Sequence, residues 1–201
     1  IFGVNFSGLP MCRDKLKSLK EKYSIKILEY ACHSPGADQV GNGEISDCTT
    51  LSFHPVKHIT TGEGGAVLTN NAIIADKIRC LRTGGITHNS AKFTADWSRD
   101  QEGNPHPWAY EMHDLGYNYR LTDLQCALGM TQLPKLTKFI ELRQQIASQY
   151  DKAFGHSNSL RPLYEFTSKS VYHLYVLRAD FSKLKVSRTE FFKRMRDRGI
   201  G

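Results

Sequence analysis

A lysine set among hydroxyls and glycines is the arrangement in this 201-residue chain best suited to covalent chemistry. It lies in Ser52-Phe-His-Pro-Val-Lys57-His-Ile-Thr-Thr-Gly-Glu-Gly-Gly65, where a strand ending near Phe53 would deliver Lys57 into a loop. A protonated lysine is a poor nucleophile. Desolvation or a neighbouring cation lowers its pKa enough for a Schiff base with a carbonyl. His54 and His58 flank Lys57, Ser52 and Thr60 offer hydroxyls to a phosphate oxygen, and Gly62, Gly64 and Gly65 let backbone approach a bulky ligand. The run TGEGG fits neither the phosphate-loop pattern nor the dinucleotide fingerprint. On its own, the segment reads equally well as a solvated lysine in a polar loop.

The elements that must position this loop follow from periodicity. Leu16, Leu19 and Tyr23 share one face of a helix over 11–23. Strands are expected at Ile25–Leu28, Cys48–Phe53 and Ala66–Thr69. Asn71 caps a helix with Ile74, Ile78 and Leu81 on its apolar face. Residues 83–118 have no clear period, and a connection that long is usually functional or disordered. Thr122-Asp-Leu-Gln125 is a capping box opening a helix through Leu133. Pro134 suits the first turn of a longer helix with the stripe Leu136, Phe139, Ile140, Ile146, Ala147, Tyr150 and Phe154, ended by Gly155. The run VYHLYVLRAD reads as a strand. Ser187-Arg-Thr-Glu190 is a second capping box, with Phe191, Phe192 and Met195 facing inward and Gly199 as the stop. Strands alternating with helices predict an α/β sheet whose site forms at strand ends.

With 40% hydrophobic and 23% charged residues, the composition is that of a globular protein rather than a disordered one. No apolar run is long enough to span a membrane, and the start has no signal-peptide pattern. The five cysteines are scattered and lack a C-x-x-C pair. This argues against a disulfide framework or zinc site and suits reduced thiols in a cytoplasm. A net charge of +7 invites a nucleic-acid reading. Its excess over Lys183–Arg198 carries no recognition motif and reads as a solvated helix face, so no nucleic-acid or membrane partner is expected.

The segment SFHPVKHITTGEGGAVLTNN resembles the cofactor-lysine region of the DegT/StrS family of sugar-nucleotide aminotransferases. Within that family it is most similar to the transaminases of pseudaminic acid biosynthesis. VNFSGLP near the start, HSPGA at 33–37, PWAYEMHDLGYNYRLTDLQCALGMTQL at 107–133 and RDRGIG at the end resemble the family in the same order. The resemblance implies a type I PLP-dependent transferase fold, aspartate aminotransferase-like and truncated here at both ends. Residues 1–155 would be the later part of the large PLP-binding domain, and 156–201 the beginning of the small one. It also implies a homodimer, pyridoxal 5'-phosphate as cofactor, and ping-pong amino transfer from L-glutamate to a 4-keto nucleotide sugar. Lys57 would carry the cofactor and move the proton. Ser52 would bind its phosphate, His33 would lie beside its phenolic oxygen, and Asn118 would reach the phosphate in the neighbouring subunit. Each of the last three, taken alone, is also an ordinary strand-end, loop or turn residue.

One position departs from the family. Where it has Glu-Asp-Ala, this chain has Glu29-Tyr30-Ala31. The missing Asp would pair with the pyridine nitrogen and let the ring take up electrons. Tyr30, with an ordinary pKa of about 10, offers a hydrogen bond but no anion, and Glu29 should point to the opposite face of its strand. A relative that keeps the fold but turns over poorly is therefore a second reading, and a basic polyanion-binding module a third.

Overall fold

A computed structural model describes all of residues 1–201. Its central sheet runs β1 (Phe2–Val4), β2 (Leu28–Tyr30), β3 (Cys48–Ser52) and β4 (Gly65–Leu68) in that spatial order. The first three strands are parallel and β4 returns antiparallel to β3. Helix α1 (Arg13–Tyr23) crosses from β1 to β2, and α2 (Ala72–Arg82) follows β4. The short pair β5 (Ile86–Thr87) and β6 (Glu111–Met112) brackets the long connection. Then come α3 (Asp123–Gln132), α4 (Leu136–Phe154), the antiparallel pair β7 (Leu160–Pro162) and β8 (Leu177–Ala179), and α5 (Phe181–Leu184) and α6 (Arg188–Asp197).

Strand register sorts the central sheet into two unlike faces, because side chains alternate along each strand. Glu29 and Thr49, paired across β2 and β3, lie on the covered face and are buried. Phe2, Val4, Tyr30 and Val67 lie on the other face and are exposed. Burying the Glu29 carboxylate is costly unless it is paired and hydrogen-bonded. Its oxygens accept from Asn5 Nδ2 at 3.0 Å, Thr49 Oγ1 at 2.9 Å, Ser46 Oγ at 3.3 Å and the Gly41 amide at 3.3 Å. Arg13 stands 4.0 Å away. This network ties β1, β2, β3 and the 41–46 loop together and turns Glu29 away from the face carrying Tyr30.

Local signals account for most helix boundaries. The Asn71 side chain accepts from the amides of Ile73 and Ile74, and Thr122 and Gln125 form the reciprocal capping box. Ser187 caps α6, but the Glu190 carboxylate goes to Arg194 Nε at 2.9 Å instead of closing the box. Phe192 does not face inward. It is exposed beneath the Arg196 guanidinium, 5.2 Å from its ring centre. On α4 the stripe turns slightly from the expected one: Ile146 and Tyr150 are exposed, whereas Leu136, Ile140, Arg143, Gln144 and Ala147 face inward. Two of those inward residues are polar. The strand expected at 25–28 begins at Leu28 instead, although Ile27 is a core residue.

The largest departure is at VYHLYVLRAD, where only Leu177–Ala179 is strand. Tyr172 is in the left-handed region at φ 47°, which ends any ladder there. The backbone groups of this stretch go elsewhere. The amides of Val171 and Leu174 donate to Gly8 O and Ser7 O at 3.0 and 3.2 Å. Arg143 donates to the carbonyls of Tyr172 and His173, and Gln144 to those of Ser168 and Ser170.

Candidate active site

The carboxyl ends of β1, β2 and β3 open on one edge of the sheet, where sites in parallel sheets form. Each strand delivers one loop there. β1 leads into Asn5–Gly8, β2 into Cys32–Ser34, and β3 into Ser52–Lys57. The 170–174 segment closes over the same edge. Gly8 permits this approach, because a Cβ on it would lie 2.7 Å from Tyr172 N and 2.9 Å from His173 N.

Lys57 is half-buried, its amide donating to His54 O at 2.9 Å to close a turn after β3. The loop folds back on itself. Thr61 N and Thr60 Oγ1 both donate to Phe53 O, and the Gly62 amide donates to Thr60 Oγ1. Gly64, at φ 155°, has no room for a Cβ, which would strike the Thr61 hydroxyl and Leu121. Ser52 ends β3, and its Oγ accepts from the His54 amide at a long 3.4 Å.

Three imidazoles cluster near enough for the charge of Lys57 to act on each of them. His33 and His173 have ring centres 4.4 Å apart, and His58 and His173 5.6 Å apart. His58 and His173 are only 4% and 9% exposed. Burial first, then neighbouring positive charge including that of Lys57 and Arg143, pushes His58 down to about 4 against a hydrogen bond to Val171 O. Burial first, then the other two imidazoles, Lys57 and Arg143 bring His173 to about 3. Burial and then Lys57 hold His33 below the ordinary imidazole range. The rings near the lysine are therefore held neutral. Their Nδ1 atoms are buried and have no partner, leaving hydrogen-bonding capacity unspent.

Tyr30 ends β2 beside Thr50 in the sheet register, on the open face. It is 43% exposed. The neighbouring Cys32 thiol first, then burial, push the phenol up, so it is neutral at physiological pH. The structure thus brings Lys57 and His33 together, with Tyr30 and Ser52 on the adjoining strand ends. Asn118 lies elsewhere: it is exposed and bridges to Thr83 after α2. Leu121 and Gln125, just beyond it, do touch the lysine loop, with Gln125 Nε2 donating to Glu63 O at 3.0 Å.

Sequence reading missed His173, Arg143 and Gln144 as contributors to this edge. The available signal for His173 was an imidazole interrupting an apolar run. Arg143 and Gln144 had none, because polar residues on a long helix ordinarily face water.

The whole chain, residues 1–201, matches the model of the DegT/DnrJ/EryC1/StrS aminotransferase family. The UDP-4-amino-4,6-dideoxy-N-acetyl-beta-L-altrosamine transaminase of Campylobacter jejuni is 37% identical over 98% of this chain and 49% of its own length. Among solved structures, Helicobacter pylori PseC, an aminotransferase of pseudoaminic acid biosynthesis, aligns with TM-score 0.78 at 28% identity, over 96% of this chain and 50% of that one. Escherichia coli GDP-4-keto-6-deoxy-D-mannose-3-dehydratase, solved with bound hydrated PLP, aligns with TM-score 0.81 at 26% identity, over 100% of this chain and 51% of that one. The chain spans about half the length of the curated relatives it matches. On this match, and with the mixed α/β fold of those solved relatives, the chain belongs to the DegT/DnrJ/EryC1/StrS aminotransferase family.

Proposed function

We propose that this chain carries the cofactor-lysine part of a PLP-dependent aminotransferase. Its substrate would be a 4-keto-6-deoxy nucleotide sugar, UDP-linked, with L-glutamate as amino donor, in surface-glycan biosynthesis of the pseudaminic acid type. The observation that carries this reading is Lys57 in the loop after β3, at the carboxyl edge of the sheet, with its charge felt by the His33 imidazole from the loop after β2. The residues present suit pyridoxal phosphate by their chemistry. When bound, that group supplies an aldehyde carbon and a conjugated ring that takes up electrons.

Lys57 Nζ would hold the aldehyde carbon and, as a free amine, move the proton between substrate and cofactor carbons. Ser52 Oγ, which only accepts a long bond from His54, keeps its own proton for a phosphate oxygen. His33 would lie beside the phenolic oxygen, its half-buried ring held neutral by burial and Lys57. Neutral imidazoles around the amine add no further cation to the pocket. Asn118 would serve the phosphate of a second subunit's cofactor. Its surroundings support a homodimer interface: Trp97, Trp108, Tyr110, Leu115, Tyr117 and Tyr119 are all exposed, and patches of this kind mark interaction surfaces. We place the protein in the cytoplasm on its five unpaired, scattered thiols. We also retain the division at 155/156 into large-domain and small-domain parts.

The test is to incubate the chain with PLP, reduce with borohydride and map the modified peptide. Labelling concentrated at Lys57 is expected. Labelling spread over surface lysines would reject the assignment.

Tyr30 favours a second reading, a relative that captures cofactor but turns over poorly. A phenol whose pKa is raised stands where the ring nitrogen would be met, and Glu29 is committed to the opposite face.

A further inference from the structure

Four rings stand in a row at the site edge. Phe6 and His33 have centres 6.1 Å apart, His33 and His173 4.4 Å, and His173 and His58 5.6 Å. They come from four separate stretches of chain, so the row exists only in the folded state. His33 occupies an inner place in it, between Phe6 and His173. The far end is anchored, because His58 Nε2 lies 2.9 Å from Val171 O. Only an N–H can face a carbonyl at that distance, so His58 carries its proton on Nε2 and leaves Nδ1 as a bare lone pair.

His173 is aimed by a backbone that resists relaxing. Tyr172, immediately before it, is left-handed and 4% exposed, a conformation unfavourable for a bulky residue and held only when its surroundings fix it. They do so here. The Tyr172 hydroxyl accepts from the Thr167 amide at 2.9 Å, its ring stacks on Phe166 at 5.7 Å, and Arg143 holds its carbonyl at 3.2 Å. Ser7, whose carbonyl receives the Leu174 amide, is left-handed as well, at φ 57°. Two strained residues facing one another across the site edge are a poor investment for mere chain connection. They fix where the 173 ring lies.

We propose that His173 is a positioning residue for His33: its ring, aimed by left-handed Tyr172 and backed by His58, clamps the His33 imidazole against Phe6 at the Lys57 pocket. The inference rests on the reading of His33 as a cofactor contact, since a clamp on that ring matters most if the ring touches ligand. The clamp has an electrostatic side. Packing of His173 keeps water from His33, and the charged groups facing the row are Lys57 and Arg143. Removing the ring therefore lets His33 hydrate and gain a proton more readily.

Imidazole nitrogen NMR of the 201-residue chain tests this without any turnover. In the unaltered protein, ring protons of His33 and His173 should show mutual nuclear Overhauser effects, and their absence overturns the proposal. His173→Ala should raise the His33 titration midpoint by about one unit, whereas His173→Phe, which keeps a flat ring, should hold it within a few tenths. An unchanged midpoint in folded His173→Ala, or an equal rise in both variants, overturns the clamp. If His173→Ala does not fold, the Phe variant and the Overhauser contacts still decide. A second readout is the absorbance of the PLP–lysine adduct, whose protonation midpoint should move in the Ala variant and stay in the Phe variant. A chain that captures no PLP at Lys57 defeats the parent reading and leaves the His33 measurement standing.

Discussion

His33 and His173, from opposite ends of the chain, have ring centres 4.4 Å apart at an interplanar angle of 37°. One belongs to the loop after β2 and the other to a segment that abandons its strand to get there. Their contact joins the pocket of Lys57 to the part of the chain beyond α4, and it makes the protonation of that pocket a property of the whole fold.

Acid should therefore loosen the protein before its carboxylates titrate. Unfolded, His58 takes a proton near 6.5, and folded only near 4. Between those values the unfolded chain holds more protons, so stability is complete above about pH 6.5 and falls as pH drops towards 4. For His58 alone the loss is on the order of 3 kcal/mol. Urea midpoints at pH 7 and pH 4.5 should differ widely in the unaltered chain and by a smaller margin in His58→Gln, where His173 still supplies its own share. Equal pH slopes in both would remove His58 as the cause.

Glu111 makes a separate acid-sensitive joint in the long 83–118 connection. Its carboxylate accepts from the Thr94 amide and hydroxyl, the Ala95 amide and His113. Burial works to raise its pKa, but these bonds outweigh it and bring the group to about 2. A carboxylate held low contributes above its unfolded value, and the contribution is lost as pH falls from about 4.5 to about 2. Trp97, two residues past Ala95, should report that loss by fluorescence. Glu111→Gln should show the loosened signal already at pH 7, and a pH-independent Trp97 signal in both proteins would refute the joint.

Tyr30→Asp bears on the second functional reading. In a version of the protein as long as its relatives, assayed for amino transfer to a 4-keto nucleotide sugar, this change should raise kcat roughly a hundredfold or more. PLP capture at Lys57 should barely change, because imine chemistry there does not need an anion at the ring nitrogen. Equal turnover in both proteins would mean that another group serves the nitrogen.

Much of this arrangement was readable from residues alone, and the exceptions share a cause. Asn71 and Thr122 mark helix starts because a cap is a local transaction between a side chain and backbone a few residues away. The Lys57 loop was legible for a related reason: strand, hydroxyls and glycines are contiguous in sequence. His173, Arg143 and Gln144 acquire their roles only from partners far away in the chain. Nothing in VYHLYVL announces that Tyr172 will be left-handed, since the strain is sustained by Thr167, Phe166 and Arg143. Phe192 failed for the opposite reason. A helical stripe predicts burial only when something packs on it, and α6 leaves that ring beneath Arg196 in solvent.

The contact of Ser7 and Gly8 with Val171 and Leu174 also has a kinetic meaning. Closing a loop of nearly the whole chain carries an entropy cost that shorter contacts avoid, and such closures come late in folding. β1, β2 and β3 can pair, and the lysine loop can fold on itself, before the 170s arrive. The row of rings cannot. A newly made chain should thus pass through a stage with Lys57 fully exposed and His33 loose, and acquire its packed row of neutral rings in the last step. Burial of the His58 and His173 rings, only 4% and 9% exposed once folded, would then serve as a clock for the completion of folding.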